Sequence, residues 1–237
     1  MEFNALTVFV LANNETDLLR MTIDEIKKAC KPSDLAKITV VVKNNQCPAF
    51  FETQKIMETD SVVELYVQKA PTAELCLAEL GPMAETSHFV IMAADLEMSP
   101  DSLKTFIEKA KQHPDRIVCA AKWLKGSTVN GYGFLHGCCS KAMNRVISIL
   151  FNKKVRDPFS IFQIYPTQLY KKMEFNNPET FLYEYTLKPL SMGEEYEEIP
   201  TVYTKRKSGK SNFKLPTLIR VATKFLYTGF KIRFNSR

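Results

Sequence analysis

An acidic pair directly follows a short apolar run near the middle of the chain. The run, residues 88–94, is mostly apolar and predicts a buried strand, and Asp95 and Glu97 stand at its end. Carboxylate oxygens are suitable ligands for a divalent cation. The spacing is typical of a metal site at the end of a strand, but aspartates also commonly follow strands as solvated loop residues, and this segment alone favours neither reading.

A helix is predicted to start just after the acidic pair. Ser99 takes the N-cap position, Pro100 the first helical position and Asp101 the first turn, and apolar residues at helical spacing follow. A strand, an acid and a helix in this order favour an α/β enzyme whose ligand binds beyond the strand ends.

The composition is that of an ordinary globular protein, with 237 residues, 45% hydrophobic and 24% charged. The six cysteines have no CxxC spacing, which predicts free thiols in a reducing compartment and no zinc site. No apolar stretch approaches the roughly 20 residues that cross a bilayer. We expect a cytoplasmic protein, or one that lies on the inner face of the membrane without crossing it.

Positive charge is concentrated at the C-terminal end. Residues 205–237 contain ten Lys or Arg and no Asp or Glu. This favours an anionic partner such as a phosphate, a membrane surface or a nucleic acid. The acidic block at residues 194–198 is predicted to be a solvated turn.

Strand-like runs alternate with helical patterns in the first half of the chain. The runs cover residues 6–12, 38–42, 62–67, 89–93 and 117–121. The alternation predicts an α/β fold with a mostly parallel central sheet covered by helices. No linker divides the chain, so we expect one domain over residues 1–214 and a C-terminal helix over 215–237.

The second half has a different character. Four of the eight glycines fall within residues 126–137, which predicts a mobile loop without a regular element. A helix over 140–151, strands over 161–165 and 199–203, and a helix from about Leu215 are predicted to follow.

The C-terminal helix is predicted to be basic and amphipathic. Its apolar stripe consists of Leu218, Ile219, Ala222, Phe225, Leu226 and Phe230. The stripe fits an anionic membrane surface, or packing against the protein's own core or a second subunit, and the pattern leaves both open. Phenylalanines at helical spacing suit a membrane or a protein groove better than a nucleic acid, so we expect no nucleic-acid partner.

Six segments, taken in order, carry a resemblance to a known family. They are residues 10–15, 41–45, 92–97, 121–123, 156–165 and 199–211. They resemble the motifs of glycosyltransferase family 2, and within it enzymes similar to dolichyl/polyprenyl-phosphate mannose synthase. The resemblance covers almost the whole chain and implies the GT-A fold, in which a nucleotide-binding α/β half precedes an acceptor half on the same sheet.

The chain departs from the family pattern at several motif positions. Ala93 replaces the first metal-binding Asp, and Lys43 and Asn44 replace two aspartates on the nucleotide side. The usual Gly-rich segment is absent from residues 69–74. On the acceptor side, family arginines are replaced by Lys122, His136 and Gln163.

The resemblance nevertheless implies a set of site residues. Asp95 and Glu97 would hold Mg²⁺ or Mn²⁺ against the departing diphosphate. The residues implied to bind the donor and the phosphate groups are Ala12, Asn13, Asn14, Glu15, Asn44, Asp95, Lys122, His136, Ser140 and Ser211.

Two residues are the catalytic candidates, and which one matters depends on the acceptor. A lipid phosphate is already an anion and needs cations, of which Arg206 is best suited because its guanidinium pairs bidentately with phosphate. A sugar hydroxyl needs a base, and Asp157 lies in a matching motif, although Asp157 followed by Pro158 is equally typical of a structural turn.

The sequence therefore predicts a metal-dependent, inverting glycosyltransferase that uses a nucleotide-sugar donor and a lipid-phosphate or glycan acceptor. The alternative is a catalytically weakened GT-A-fold protein that binds a nucleotide sugar or glycan without transfer, because several motif residues are replaced.

Overall fold

The computed structural model describes residues 2–173, 175, 180–205 and 215–235. The strands are β1 (Leu6–Ala12), β2 (Leu35–Val42), β3 (Val63–Val67), β4 (His88–Ala93), β5 (Ile117–Ala121), β6 (Thr128–Asn130), β7 (Gln163–Pro166), β8 (Tyr196–Pro200) and β9 (Val202–Thr204). The helices are α1 (Asp17–Ala29), α2 (Pro48–Met57), α3 (Ala73–Met83), α4 (Ser102–Gln112), α5 (Phe134–Phe151), α6 (Thr167–Lys171), α7 (Phe181–Ser191) and α8 (Leu215–Asn235).

Seven strands form one central sheet in the order β3-β2-β1-β4-β7-β5-β8, and β6 pairs with β9 in a second, small parallel sheet. Within the central sheet only β7 is antiparallel to its neighbours, β4 and β5. The other pairs are parallel. The predicted α/β class with a mostly parallel central sheet is confirmed.

Alternate residues of the central strands enter two different apolar cores. Val8 and Val10 of β1 pack in a core with the buried faces of α1 and α4, whereas Phe9 packs in a second core with α3, α6 and α7. This is the period-2 alternation of a sheet buried on both faces. All six cysteines are free thiols, as predicted.

The prediction of an irregular loop over residues 126–137 is wrong in two respects. It contains β6, and α5 begins at Phe134, six residues before the predicted start. Gly133 has a φ of +84° and lies just before the helix. Gly137 lies inside the helix, where an added Cβ would come within 3.4 Å of the Trp123 ring. Gly137 is buried in the helix beside Trp123, so the glycine content of this segment did not mark the boundaries of its elements.

The predicted strand over residues 199–203 is in fact two strands in different sheets. β8 pairs with β5 and β9 pairs with β6, and the break falls at Thr201, whose N–H donates to the Ser127 hydroxyl (3.1 Å). Residues 194–198 are not a solvated turn, because most of them belong to β8. There Glu197 is paired with Lys109 and Arg116.

The predicted start of α4 is also shifted. The helix begins at Ser102, and residues 99–101 form a turn before it. The N–H of Ser102 donates to the carbonyl of Ser99 (3.2 Å), and the N–H of Leu103 donates to that of Pro100 (2.9 Å). Bonds between residues three apart are typical of such tight turns.

Helix α8 begins at Leu215 as predicted, and it packs on the rest of the protein. Its Phe225 and Ile232 are buried in a third core with residues of α5 and α7. Phe230 is 48% exposed, and the side chains of Leu218 and Ile219 lie outside the described residues. Packing on the protein's own core therefore accounts for Phe225 but not for Phe230. Within the described part of the chain, no helix combines the length and apolarity needed to span a bilayer.

Candidate functional site

The carboxyl ends of β1, β2 and β4 meet at one edge of the central sheet. Ala12 pairs with Val42, and Leu11 pairs with Ala93. The N–H of Ala94 extends the ladder by donating to the carbonyl of Leu11 (2.9 Å). The loops after these strands carry the predicted site residues Asn13, Asn14, Glu15, Asn44, Asp95 and Glu97. The structure thus places these six predicted residues on loops at one edge of the sheet.

Glu15 shapes the loop that follows β1. Its carboxylate accepts the backbone N–H groups of Asn13 (2.8 Å) and Asn14 (3.0 Å). The carbonyl of Asn13 in turn accepts the N–H of Ala49 in the first turn of α2 (3.1 Å). Because its carboxylate is engaged with the backbone, Glu15 positions this loop, and Asn13 and Asn14 in the same loop are exposed.

Asn44 closes a tight turn after β2. Its amide oxygen accepts the N–H of Gln46 (3.0 Å), while the amide nitrogen has no partner among the described residues. Asn44 is exposed, and so is the neighbouring Lys43. The side chain therefore offers a hydrogen-bond donor to a ligand at this edge.

Residues 95–97, named here the acidic turn, hold both predicted metal ligands. One carboxylate oxygen of Asp95 accepts the N–H of Glu97 (3.1 Å), and Leu96 between them has a left-handed φ of +55°. The carbonyl of Glu97 accepts the N–H of Thr204 in β9 (2.8 Å), which ties the turn to the small sheet. Both acidic residues are half-buried, and Ala93 before them supplies only a methyl group.

This donor set fits a metal that arrives with its substrate. Among the described residues, no group of three or more His, Cys, Asp or Glu side chains could hold a metal ion. Magnesium sites of phosphate-transferring enzymes commonly use one or two carboxylates, with substrate phosphates and water completing the coordination. Asp95 and Glu97 meet that requirement only together with a phosphate-bearing ligand.

A buried ion pair lies at the carboxyl end of β5. The ammonium of Lys122 is 2.7 Å from the Asp157 carboxylate, which also accepts the backbone N–H of Lys122 (2.9 Å). Burial alone lowers the pKa of Lys122, but the charge of Asp157 and the hydrogen bond to it outweigh burial, and the net pKa is raised. Asp157 is fully buried. This geometry fits the structural alternative for Asp157, because a base needs access to the acceptor.

Glu198 is a functional candidate that sequence reasoning missed. It accepts the backbone N–H groups of Arg156 (2.7 Å) and Asp157 (2.8 Å), so it holds the segment that carries the ion pair. Burial raises the pKa of Glu198 to about 7, although those two hydrogen bonds oppose the rise. No local motif marks this residue, because its partners lie about 40 positions earlier in the sequence.

A row of aromatic rings connects the β5 side of the site to the acidic turn. Trp123 contacts Tyr132 edge-on (5.1 Å between ring centroids), and Tyr132 contacts Tyr203 (5.3 Å). Tyr203 forms a β-bridge with Met98, the residue after the acidic turn. The indole N–H of Trp123 donates to the hydroxyl of Ser140 on α5 (2.9 Å). These contacts place the predicted acceptor residue Ser140 in the same site region as Lys122.

The other predicted site residues have varied outcomes. His136 is half-buried in the first turn of α5. Gln163 is buried in β7, where its amide nitrogen donates to the Thr186 hydroxyl (2.7 Å), so it has a structural role. Arg206 and Ser211 lie outside the described residues.

Comparison with known proteins identifies the architecture. No family model matches the chain. Glucosyl-3-phosphoglycerate synthase from Mycobacterium tuberculosis, solved with Mn²⁺, UDP and glucosyl-3-phosphoglycerate, is similar with a TM-score of 0.66 and 14% identity, over 97% of this chain and 80% of that chain. Mannosyl-3-phosphoglycerate synthase from Rubrobacter xylanophilus is similar with a TM-score of 0.70 and 14% identity, over 98% and 74%. This chain has the GT-A fold.

The likeness extends to a second state of the mycobacterial enzyme. Its complex with Mn²⁺, UDP and phosphoglyceric acid is similar with a TM-score of 0.69 and 12% identity, over 98% of this chain and 79% of that chain. At such identities the shared feature is the fold, and function must be argued from the site. The closer resemblance to dolichyl/polyprenyl-phosphate mannose synthases stays a prediction.

Proposed function

We propose that this protein transfers a sugar from a nucleotide-sugar donor to an acceptor that carries a phosphate group, in a metal-dependent, inverting reaction. The observation that carries the proposal is the placement of Asp95 beyond β4, beside the loops that follow β1 and β2. Structural neighbours solved with UDP and Mn²⁺ support the donor class.

The donor is proposed to bind along the edge formed by these three loops. Asn13, Asn14 and the amide nitrogen of Asn44 supply hydrogen bonds to the nucleoside. Asp95 and Glu97 would hold Mg²⁺ or Mn²⁺, which stabilises negative charge on the departing diphosphate when bound. The hydrogen bond from the backbone N–H of Glu97 orients the Asp95 carboxylate within the acidic turn.

The β5 side of the site is proposed to bind the acceptor. The acceptor oxygen attacks the anomeric carbon from the face opposite the diphosphate, so a carbon–oxygen bond forms as the bond to the diphosphate breaks. Asp157 is already paired with the buried Lys122, so we assign it the role of positioning that ammonium. A phosphate oxygen needs no base, and this favours a phosphate acceptor over a sugar hydroxyl.

His136, Ser140 and the Lys122 ammonium are the described groups proposed to contact the acceptor. Arg206 and Ser211 remain proposed contributors on the strength of the sequence resemblance. We also propose that residues 1–214 act as one glycosyltransferase domain in the cytoplasm, with α8 against the inner face of the membrane when the acceptor is a lipid.

A second candidate function is binding of a nucleotide sugar or glycan without transfer. Ala93 favours it, because the sequence resemblance implies a metal-binding Asp at this position, where a further carboxylate would stand next to the acidic turn.

The donor and metal sites are tested together by calorimetry with UDP, with and without Mn²⁺. Asp95→Ala should abolish the metal-dependent part of UDP binding, whereas the control Asp101→Ala should leave it unchanged, because Asp101 is an exposed carboxylate paired with Lys104. Equal metal-dependent affinity in wild type and Asp95→Ala would reject the metal assignment.

Transfer itself is tested by incubation with radiolabelled nucleotide sugars and metal. Release of nucleoside diphosphate that depends on both Asp95 and an added phosphate ester supports glycosyl transfer. Tight binding without release, for every nucleotide sugar tried, supports the second candidate.

A further inference from the structure

A basic groove lies along α5 and includes Trp123 in its lining. It has a cavity volume of about 830 Å³ and runs along α5 and the segment that follows this helix. Five cationic side chains and one indole ring are among its lining groups, and none of the lining residues is acidic. These six are Trp123, Lys141, Arg145, Lys153, Lys154 and Arg156.

The cations of the basic groove lack the acidic partners that about half of the other described cations have. None of the five forms a salt bridge with a described carboxylate. The positive charge of Arg156 does lower the pKa of Glu198, against the larger effect of burial. By contrast, Lys111 is paired with Asp34, and Arg116 with both Glu195 and Glu197. The local sequence explains the difference, because residues 116–156 contain eight Lys or Arg and no Asp or Glu.

The groove is preformed by hydrogen bonds that fasten the segment after α5 to the helix. The buried Asn144 donates its amide N–H to the carbonyl of Arg156. The Ser148 hydroxyl donates to the carbonyl of Val155 (2.7 Å) and accepts the N–H of Val155 (3.1 Å). These bonds hold the segment with Lys153 and Lys154 against α5, so both lysines line the same groove as the cations of the helix.

We propose that the basic groove is a binding site for a phosphate ester. Its volume is that of an ordinary ligand site, and its cations suit an anion with several charged oxygens. The ammonium of Lys141 lies over the Trp123 ring at 4.7 Å, so the aromatic end of the groove adjoins the Lys122 side of the site. Where the bound ester is also the sugar acceptor, the groove holds it next to the Lys122 side of the site, and that reading rests on the proposed function.

The groove has a built-in reporter, because Trp123 is the only tryptophan in the sequence. The full chain is titrated with glycerol 3-phosphate while Trp123 fluorescence is recorded, without donor or metal and then with UDP present. A saturable change that persists in UDP and weakens with added salt is expected. If fluorescence shows no saturable change, glycerol 3-phosphate does not bind near Trp123 and the proposal is overturned. If UDP abolishes the change, the probe binds in the nucleotide site instead of the groove, and the proposal is overturned as well.

The cations of the groove are tested with a matched pair of double variants. Lys153→Gln with Lys154→Gln should weaken binding roughly tenfold or more, a loss of about 1.4 kcal/mol. Lys171→Gln with Lys172→Gln removes the same charge from another exposed lysine pair and should change affinity less than about twofold. Equal affinities in the two double variants would overturn the proposal.

A titration with lipid vesicles distinguishes the two sources of such a phosphate, which are a lipid headgroup and a soluble ester. Phosphatidic acid vesicles that change Trp123 fluorescence, with the same dependence on Lys153 and Lys154, indicate a lipid headgroup, and phosphatidylcholine vesicles serve as the neutral control. A response to glycerol 3-phosphate alone indicates a soluble ester. Because neither titration contains a donor, a failure of glycosyl transfer leaves these results standing.

Discussion

Lys122 and Asp157, 35 positions apart in the sequence, form a buried ion pair in which the ammonium and carboxylate are 2.7 Å apart. The carboxylate also accepts the backbone N–H of Lys122, so it holds both the backbone and the side-chain ammonium of that residue. Held in this way, the Lys122 ammonium is a fixed positive charge at the carboxyl end of β5. The pair thus links the segment before β7 to the proposed acceptor side of the site.

Removal of the carboxylate should be costly. Asp157→Asn leaves the Lys122 ammonium buried without its partner, and the expected loss is about 3–5 kcal/mol in the free energy of unfolding by urea. Combining it with Lys122→Met should recover part of that loss. The exposed control Asp101→Asn should cost less than about 1 kcal/mol, and an equally small cost for Asp157→Asn would contradict a buried pair.

A carboxylate at position 93 should strengthen the metal site. Ala93 is half-buried at the end of β4, two residues before Asp95. Ala93→Asp is expected to tighten Mn²⁺-dependent UDP binding in calorimetry, because it adds an oxygen ligand next to the acidic turn. Ala93→Asn has nearly the same size without the charge and should give a smaller gain. Weaker metal binding in Ala93→Asp would mean that the metal is not bound next to position 93 in the way proposed here.

Glu198 should make stability depend on pH. Burial raises its folded-state pKa from 4.5 to about 7, so the folded protein holds this proton more tightly than the unfolded chain. Its stabilising contribution is therefore full below 4.5 and is lost as the pH rises through about 7. Glu198→Gln keeps an acceptor for the backbone N–H groups but does not titrate. The unfolding free energies of wild type and variant should diverge across this window, and parallel curves would contradict the assignment.

The outer side of α8 is expected to bind anionic membranes. Tyr227, Phe230 and Phe234 are exposed there, at 71%, 48% and 64%, near exposed cations such as Lys231. Each nearby cation should add on the order of 1 kcal/mol of attraction to an anionic lipid surface. Phe230→Ser with Phe234→Ser should therefore reduce co-sedimentation with anionic vesicles at low salt.

A substitution is a better test than removal of α8, because Phe225 and Ile232 belong to the core. Phe51→Ser changes an exposed phenylalanine on α2 and serves as the control. If the intact protein stays in the supernatant with anionic vesicles, the membrane prediction is wrong.

The elements that the sequence determined are those with a strong local pattern. Leu6–Ala12 and Ile117–Ala121 were predicted with the bounds that they have in the structure, because each is an apolar run, with Thr7 as the one polar residue, and a sheet buried on both faces requires such runs. The placement of Asp95 followed directly, since the carboxyl ends of parallel strands meet at one edge.

The start of α5, the direction of β7 and the partners of Asp157 depended on tertiary structure. Gly137 is helical and buried beside Trp123, although glycine by type disfavours a helix interior. The Lys122–Asp157 pair, the hydrogen bonds to Glu198 and the basic groove all join residues that are distant in sequence or lie on different elements. Periodicity reports which face of an element is buried, whereas these contacts depend on the path of the chain between elements, which local pattern does not encode.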